Sequence, residues 1–560
     1  VVLRVDVVKP TKRDALVISI ISLAFFSLAS WNLGLTKTPV TSWHVINGEF
    51  ITLNFDKYEN VSSLYVLISS ENNVSATVSA LESGVWRGVG NVSGNEFYQW
   101  VRVDLNVNTQ GLRLQFDKTI GDVYEVAVTD VLNKSINIVD VKGSDSSDHD
   151  VKNLVDEQQY VESPPTFKSE AYFDEVYYVK TAQEYLQHKE ATEWTQPPLG
   201  KLIIACGIEG FSFSPFGWRI LGVVFSTLMI PILYLLALVM FDSRVAAVLS
   251  ASLIALDFMH FTMGRIATID TYLVFFSIVS TLFFYLNYAS IVSSHRFNLK
   301  FLVLGVFFFY LAFSVKWTAL FGLIGEMALI AVAILKDSPR SVKGVVARFE
   351  SYRRPLLVTL ALLVIGGSIY LATYIPYASM GHGLGDIYNL QLSMYTYHSQ
   401  LKATHPFSSE WWSWPLILKP LWLYFGALPN DMVSTITAMG NPVIWWVGFP
   451  ILLFTLWRGA WERKPPYLFI GVVFMFQWIP YAFLSRILFI YHFYLDVPVI
   501  VVALGAVLNE AWSNPRERKL VIIFLAAALA VFILFFPVIS GLPTPLWYTQ
   551  CLRLFGSWIF

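Results

Sequence analysis

Long apolar runs dominate this chain, and a membrane helix needs about 20 mostly apolar residues in succession. By that measure, runs near 15–35, 216–241, 245–262, 269–291, 299–314, 317–335, 355–376, 441–457, 466–484, 488–508 and 519–540 predict eleven spans. The first run is too long for the core of a cleaved signal peptide and lacks a clear small-residue cleavage site after it, so it is read as a retained span. Between the first and second runs the period changes. Segments 51–55, 64–68, 98–105, 112–116 and 124–128 alternate apolar and polar residues, with Gly and Asn between them. Alternation gives a strand one apolar face, so residues 36–140 predict an antiparallel β-sandwich. A Ser- and Asp-rich linker, 141–165, ends at Pro164 and Pro165.

Basic residues set the orientation, because inner loops carry an excess of Lys and Arg. Arg4, Lys9, Lys12 and Arg13 precede the first span, and alternate later loops carry Arg244; Arg296 and Lys300; a basic stretch over 336–354; Arg458, Arg463 and Lys464; and Arg516, Arg518 and Lys519. The N-terminus (with the first span, 1–35) is therefore expected to start in the cytoplasm, and the tail 541–560 to lie outside. Segments 36–200 and 377–440 also fall outside. The second is rich in Trp and Tyr and reads as a loop against the membrane interface. The first holds four Asn-x-Ser sequons, at Asn60, Asn73, Asn91 and Asn133.

Composition narrows the class. Charged residues are 14% of 560 and hydrophobic residues 55%, too few charges to coat a globule of this size. A net charge of −1 excludes a broadly basic nucleic-acid binder. Two cysteines, Cys206 and Cys551, exclude a disulfide framework or a cysteine metal site, and no His/Asp/Glu spacing argues for a metal.

Single cations nevertheless stand at the outer edges of the spans: Lys201, Arg219, Arg265, Lys316 and Arg486. Any one of them is most simply a snorkelling side chain. Five at one level suggest a shared anion, and a lipid phosphate suits both depth and sign. An acidic pair, Asp174 and Glu175, precedes an amphipathic segment, 176–186, suited to an interfacial helix. Such a pair is most simply the acidic first turn of a helix. Here it stands ahead of a rigid turn, Gln196-Pro197-Pro198-Leu199-Gly200-Lys201, that returns the chain toward the membrane. Asp257 and Glu326 are costly within spans and read as site support or helix packing, and His492 and Asp496 as a structural pair one turn apart.

Phe173-Asp174-Glu175, the turn 196–201 and Gly217-Trp218-Arg219 resemble the first outer loop of the protein O-mannosyltransferases of the GT-C superfamily. Gly264-Arg265, Asp270, Ser314-Val315-Lys316-Trp317, His405-Pro406, the stretch from Trp411 to Pro415, Gly440-Asn441-Pro442-Val443, Ser485-Arg486 and Tyr491-His492 follow in the family's order over about 170–510. The resemblance implies a GT-C multi-spanning α-helical catalytic module over 166–540, with outer loops 166–215 and 377–440; the sandwich at 36–140 is an addition to it, and by its alternation and the Trp100 and Tyr124 neighbourhoods it resembles discoidin-like carbohydrate-binding domains. It implies transfer of mannose from a polyprenyl- or dolichyl-phosphate donor to Ser or Thr hydroxyls of secreted or membrane proteins, with inversion. The partners are then the lipid-linked sugar, the acceptor protein and membrane lipid; a homo- or heterodimer stays open, and no cofactor or metal is required. Asp174 would act as general base with Glu175 positioning a substrate. Arg219, Lys316 and Arg486, then Arg265 and Lys201, would hold the donor phosphate. His405, Trp411, Trp412, Gln196 and His492 would bind sugar or acceptor. Two departures stand out. Gln196 replaces the family's usual His, and 377–440 has no room for the β-trefoil of eukaryotic members, which points to a prokaryotic cell membrane rather than the endoplasmic reticulum. Use of another sugar or a lipid acceptor, as in aminoarabinose transferases, is the alternative; a transporter would spread its charges along a path through mid-bilayer, and a surface receptor would leave the cations without a task.

Overall fold

A computed structural model describes residues 10–69, 74–117, 121–145, 150–294, 296–335, 350 and 353–560. Asn73, Arg4, Lys9 and most of the basic stretch 336–354 lie outside the described residues. Each predicted span is helical. Among the described residues, seven helices are long and apolar enough to cross a membrane: Lys12–Ser30, Pro215–Phe241, Asp270–Ser294, Pro442–Trp461, Pro465–Phe483, Ile490–Ser513 and Arg518–Ser540. Three shorter apolar helices, Leu299–Phe313, Ala319–Leu335 and Leu356–Ala372, occupy further predicted positions.

The run 245–262, expected as one helix, is two: Arg244–Ala255 and Phe258–Gly264, bent by 59°. Asp257 causes the break. Its carboxylate accepts from the His260 N–H at 3.1 Å as the N-cap of the second helix, and also from Trp445 Nε1 at 2.8 Å and Asn441 N–H at 3.3 Å. A helix running through Asp257 would leave these buried donors unpaired. Glu326 is another buried acid within an apolar helix, and Thr281 donates to it at 2.6 Å.

The β-region comprises β1 (Trp43–Val45), β2 (Phe50–Ser69), β3 (Val74–Glu82), β4 (Val85–Gly94), β5 (Gln99–Phe116), β6 (Gly121–Thr129) and β7 (Asp140–Gly143). All pairings are antiparallel, in the order β1-β6-β2-β5-β3-β4, with β7 also beside β2. The strands of the predicted β-sandwich are joined in one seven-stranded hydrogen-bonded sheet. Register shifts between Asn54 and Glu59 and between Val61 and Ser63 bend the long β2, whose second neighbour changes from β7 to β6 across them. Trp43, Ile51, Leu53, Val66, Val78, Leu114, Phe116 and Val126 fill the enclosed core. Asn60 and Asn91 are exposed on strands, and Asn133 is half-buried in a turn.

The sheet also joins the helical core. Tyr98 packs edge-on to Tyr124, Phe213 and Trp218, with ring centroids 5.2, 5.2 and 5.7 Å away. Segment 377–440 is not a plain loop. It carries helix Leu384–Gln400, a 3-10 turn Trp411–Leu416 and a hairpin of β8 (Leu421–Leu428) with β9 (Met432–Ala438), extended by β10 (Thr544–Pro545). Leu384, Tyr388, Leu392 and Tyr395 project from that helix as exposed apolar side chains, as suits a membrane interface.

Candidate active site

Asp174 and Glu175 are neighbours in sequence with opposite surroundings. Glu175 opens helix Glu175–Leu186 and points into the protein, where it is fully buried. Its oxygens accept from Arg219 Nε at 2.8 Å and Nη2 at 2.7 Å, and from the Ala267 N–H at 2.8 Å. Arg219 is equally buried and also donates to the carbonyls of Leu33 (3.0 Å), Phe167 (2.8 Å) and Glu170 (2.8 Å). A bidentate pair so saturated holds the loop 167–175 to the bundle. Asp174, by contrast, is half-buried, and its carboxylate makes no hydrogen bond or ion pair among the described residues. Burial pushes its pKa up to about 7; Asp270 raises it further, Lys316 opposes, and Glu193 again raises. Phe173, just before it, has φ of +52°, a left-handed conformation unusual for a bulky side chain.

A cavity of about 320 Å³ is lined in part by Lys316, whose charge acts on Asp174; Asp174 itself is not among the lining residues. At its polar end are Lys316, Arg486, His398, His492 and Gln196; Trp317, Leu320, Phe321, Leu484 and Leu488 supply an apolar wall. Lys316 is paired with Asp270 at 2.9 Å and stands 5.3 Å from the centre of the Tyr491 ring. Arg486 donates through Nη1 to His398 Nδ1, while its buried Nε has no hydrogen-bond partner among the described residues. His398 Nε2 donates to the Thr195 carbonyl at 2.7 Å, which leaves Nδ1 as the acceptor of a neutral ring. Burial and then the Arg486 charge hold the His398 pKa below its usual value, in keeping with that tautomer. Gln196 approaches the same ring, at 3.3 Å from Nε2.

Three of the five outer-edge cations are not brought to this cavity. Arg219 spends its donors on Glu175 and carbonyls. Arg265 donates to the carbonyls of Ala29 (2.6 Å), Trp31 (2.8 Å), Asn32 (3.1 Å) and Ser540 (3.4 Å), so it covers the C-terminal ends of two spans. Lys201 donates to the carboxylate and carbonyl of Glu193 (2.6 Å each) and to the Gln196 carbonyl (2.8 Å), fastening the Pro-Pro turn. Each is a cation whose sites are filled by the chain itself.

The sugar or acceptor candidates also divide. Gln196 and His492 line the cavity, and His492 Nδ1 bonds the Phe489 carbonyl at 3.0 Å rather than Asp496. The expected His492–Asp496 pair therefore does not form; both Asp496 oxygens are buried without a hydrogen-bond partner among the described residues. His405 lies against Phe489 and Phe407, away from the cavity lining, and its Nδ1 accepts from the Phe407 N–H at 3.2 Å. Trp411 packs on Trp478 with ring centroids 5.0 Å apart, and Trp412 is 52% exposed. Trp414 is the aromatic of that stretch that reaches the site's edge, stacked 6.0 Å from His492. His398 was not singled out from sequence; its spacing from Tyr395, three residues on one helix, places both at the cavity.

Residues 208–379 match the family described as dolichyl-phosphate-mannose-protein mannosyltransferase, and residues 383–558 the C-terminal four-transmembrane region of protein O-mannosyltransferase. The chain is 25% identical over 451 residues to a polyprenol-phosphate-mannose–protein mannosyltransferase of Mycolicibacterium smegmatis, covering 68% of this chain and 86% of that one. It is 24% identical over 443 residues to the protein of the same name from Mycobacterium tuberculosis, covering 66% and 83%. Its fold is similar to that of the S. cerevisiae protein O-mannosyltransferase complex bound to the sugar donor, with a TM-score of 0.58, 14% identity, and 70% of this chain and 89% of that chain covered.

Proposed function

This chain belongs to the protein O-mannosyltransferase family, and from that premise we propose that it moves mannose from a polyprenyl-phosphate donor to Ser or Thr hydroxyls of proteins at the outer face of a prokaryotic cell membrane. The observation that carries this reading is the cavity lined by Lys316, Arg486 and an apolar wall, with the Lys316 charge acting on the Asp174 carboxylate, which has no partner among the described residues. A phosphate on an isoprenoid chain asks for that combination: cations for the head and apolar surface for the tail.

In the reaction, Asp174 accepts the proton of the acceptor hydroxyl as its oxygen bonds to the anomeric carbon. The bond from that carbon to the phosphate oxygen breaks on the opposite side, so the centre inverts. Negative charge grows on the departing phosphate, and Lys316 and Arg486 stabilise it; the neutral His398 ring aims the guanidinium by accepting one of its N–H groups. Asp270 holds Lys316 in place at 2.9 Å. Glu175 and Arg219 act one step back, fixing the loop from which Asp174 projects. The scheme uses no metal or cofactor. Basic inner loops support a cytoplasmic N-terminus, with the site and the C-terminal tail on the other side.

Purified protein in detergent, given polyprenyl-phosphate-mannose and a Ser/Thr peptide, should yield mannosylated peptide. Asp174→Asn should remain folded and lose about 10²- to 10⁴-fold in kcat, the usual scale for a general base. Normal turnover by that variant would remove Asp174 from the base role.

A further inference from the structure

The β-rich domain is hydrogen-bonded to the very loop that carries Asp174, through residues the chemistry above does not use. The Ala171 N–H donates to the Tyr98 carbonyl at 2.9 Å, and Gln99 Nε2 donates to the Ala171 carbonyl at 3.0 Å. The Trp100 N–H donates to the Glu170 carboxylate at 2.9 Å. From the other side, the Glu170 carbonyl accepts from Arg219 Nη2 at 2.8 Å. Residue 170 is thus clamped between sheet and helices. Only Tyr172 and Phe173 separate Ala171 from Asp174. Neither is loose: the Arg219 guanidinium stands 4.8 Å from the centre of the Tyr172 ring, and the Phe173 ring meets Tyr491 edge-on at 6.3 Å.

The sheet side of the clamp is itself fixed. Tyr98 is fully buried, and its hydroxyl donates to the Pro39 carbonyl at 2.5 Å and accepts from the Thr38 hydroxyl at 2.6 Å. A base displaced by about 1 Å can lose roughly a hundredfold in rate, so the placement of this loop matters as much as the identity of its acid.

We propose that Glu170 and Gln99 are positioning residues of the transferase, and that through them the β-rich domain sets where the Asp174 carboxylate stands. This rests on the reading of Asp174 as the base and adds a task for the sheet: it is part of the catalytic framework. Burial pushes the Glu170 pKa up to about 8, so near neutral pH the group is largely protonated and accepts from Trp100 through a neutral carboxyl. A glutamine reproduces that acceptor.

The test is steady-state kinetics and pH profiles of the full chain with polyprenyl-phosphate-mannose and a Ser/Thr peptide. Glu170→Ala and Gln99→Ala should each lower kcat at least tenfold with the donor KM within about twofold of wild type. The kcat–pH midpoint should move down toward the ordinary carboxylate range as Asp174 becomes better hydrated. Glu170→Gln should restore both. Wild-type kcat and pH midpoint in Gln99→Ala would overturn the proposal, and if Glu170→Ala does not fold, Gln99→Ala and Glu170→Gln decide alone. Failure of the base assignment would look different: Asp174→Asn would then turn over normally whatever the clamp variants do.

Discussion

Asp174 and Glu175 show how much one position decides. Both are acids on one short motif, and nothing in their order distinguishes the proposed base from the anchor. The distinction arises where the chain enters helix Glu175–Leu186, which turns Glu175 toward Arg219 and leaves the Asp174 carboxylate without a partner among the described residues. For the same reason the outer-edge cations look alike in sequence. Arg219 and Arg265 are met by carbonyls of residues 33, 167 and 29–32, far away along the chain, and that pairing belongs to tertiary structure. Two kinds of variant should therefore separate. Lys316→Ala or Arg486→Ala should reduce kcat/KM for the donor by about 10²-fold, as loss of one charge-stabilising donor does, and Arg486→Ala, which leaves no buried acid behind, should change the melting temperature little. Arg219→Ala should instead strand Glu175 as a buried, unpaired acid, costing about 3–5 kcal/mol and lowering the melting temperature in detergent. The pH dependence has a definite sign. With the Asp174 pKa raised to about 7, the proton-accepting form dominates above that pH, so kcat should fall as pH drops below about 7. A rate constant level from pH 8 to pH 5 would contradict it.

At the level of elements, apolar length located the seven helices long and apolar enough to cross a membrane and three shorter ones, because the bilayer imposes its thickness directly on the sequence. Breaks are harder to see. The bend at Asp257 depends on donors from Asn441 and Trp445, nearly two hundred residues later. Asp257→Ala should leave these groups and the His260 N–H unsatisfied, at about 1–3 kcal/mol for each buried donor, and thermal unfolding in detergent should register the loss. Helix Leu384–Gln400 escaped notice because its aromatic residues suggested an interfacial loop, and with it went His398, while the nearby His405 drew attention by its place in a recognisable motif. Alternation disclosed the strands of the β-region, whereas their joining into one sheet depends on the register between β2 and β5, which short-range periodicity does not carry.

Over the whole molecule, sheet and bundle share one packed boundary, with Phe97 and Tyr98 inserted against Phe213 and Trp218. Excision of 43–143 should accordingly abolish transfer, measured as mannosylated peptide per folded molecule. Full activity in the shortened chain would make the sheet a detachable accessory.

Arg265 bears on how such a chain is made. The first span leaves the ribosome with the carbonyls of its last turn uncovered, and the guanidinium that covers them is translated more than two hundred residues later. One more of its acceptors, Ser540, closes the final span. Helices Lys12–Ser30 and Arg518–Ser540 are thus latched by a residue that lies between them in the chain, so this part of the frame can close only after all three segments have been synthesised.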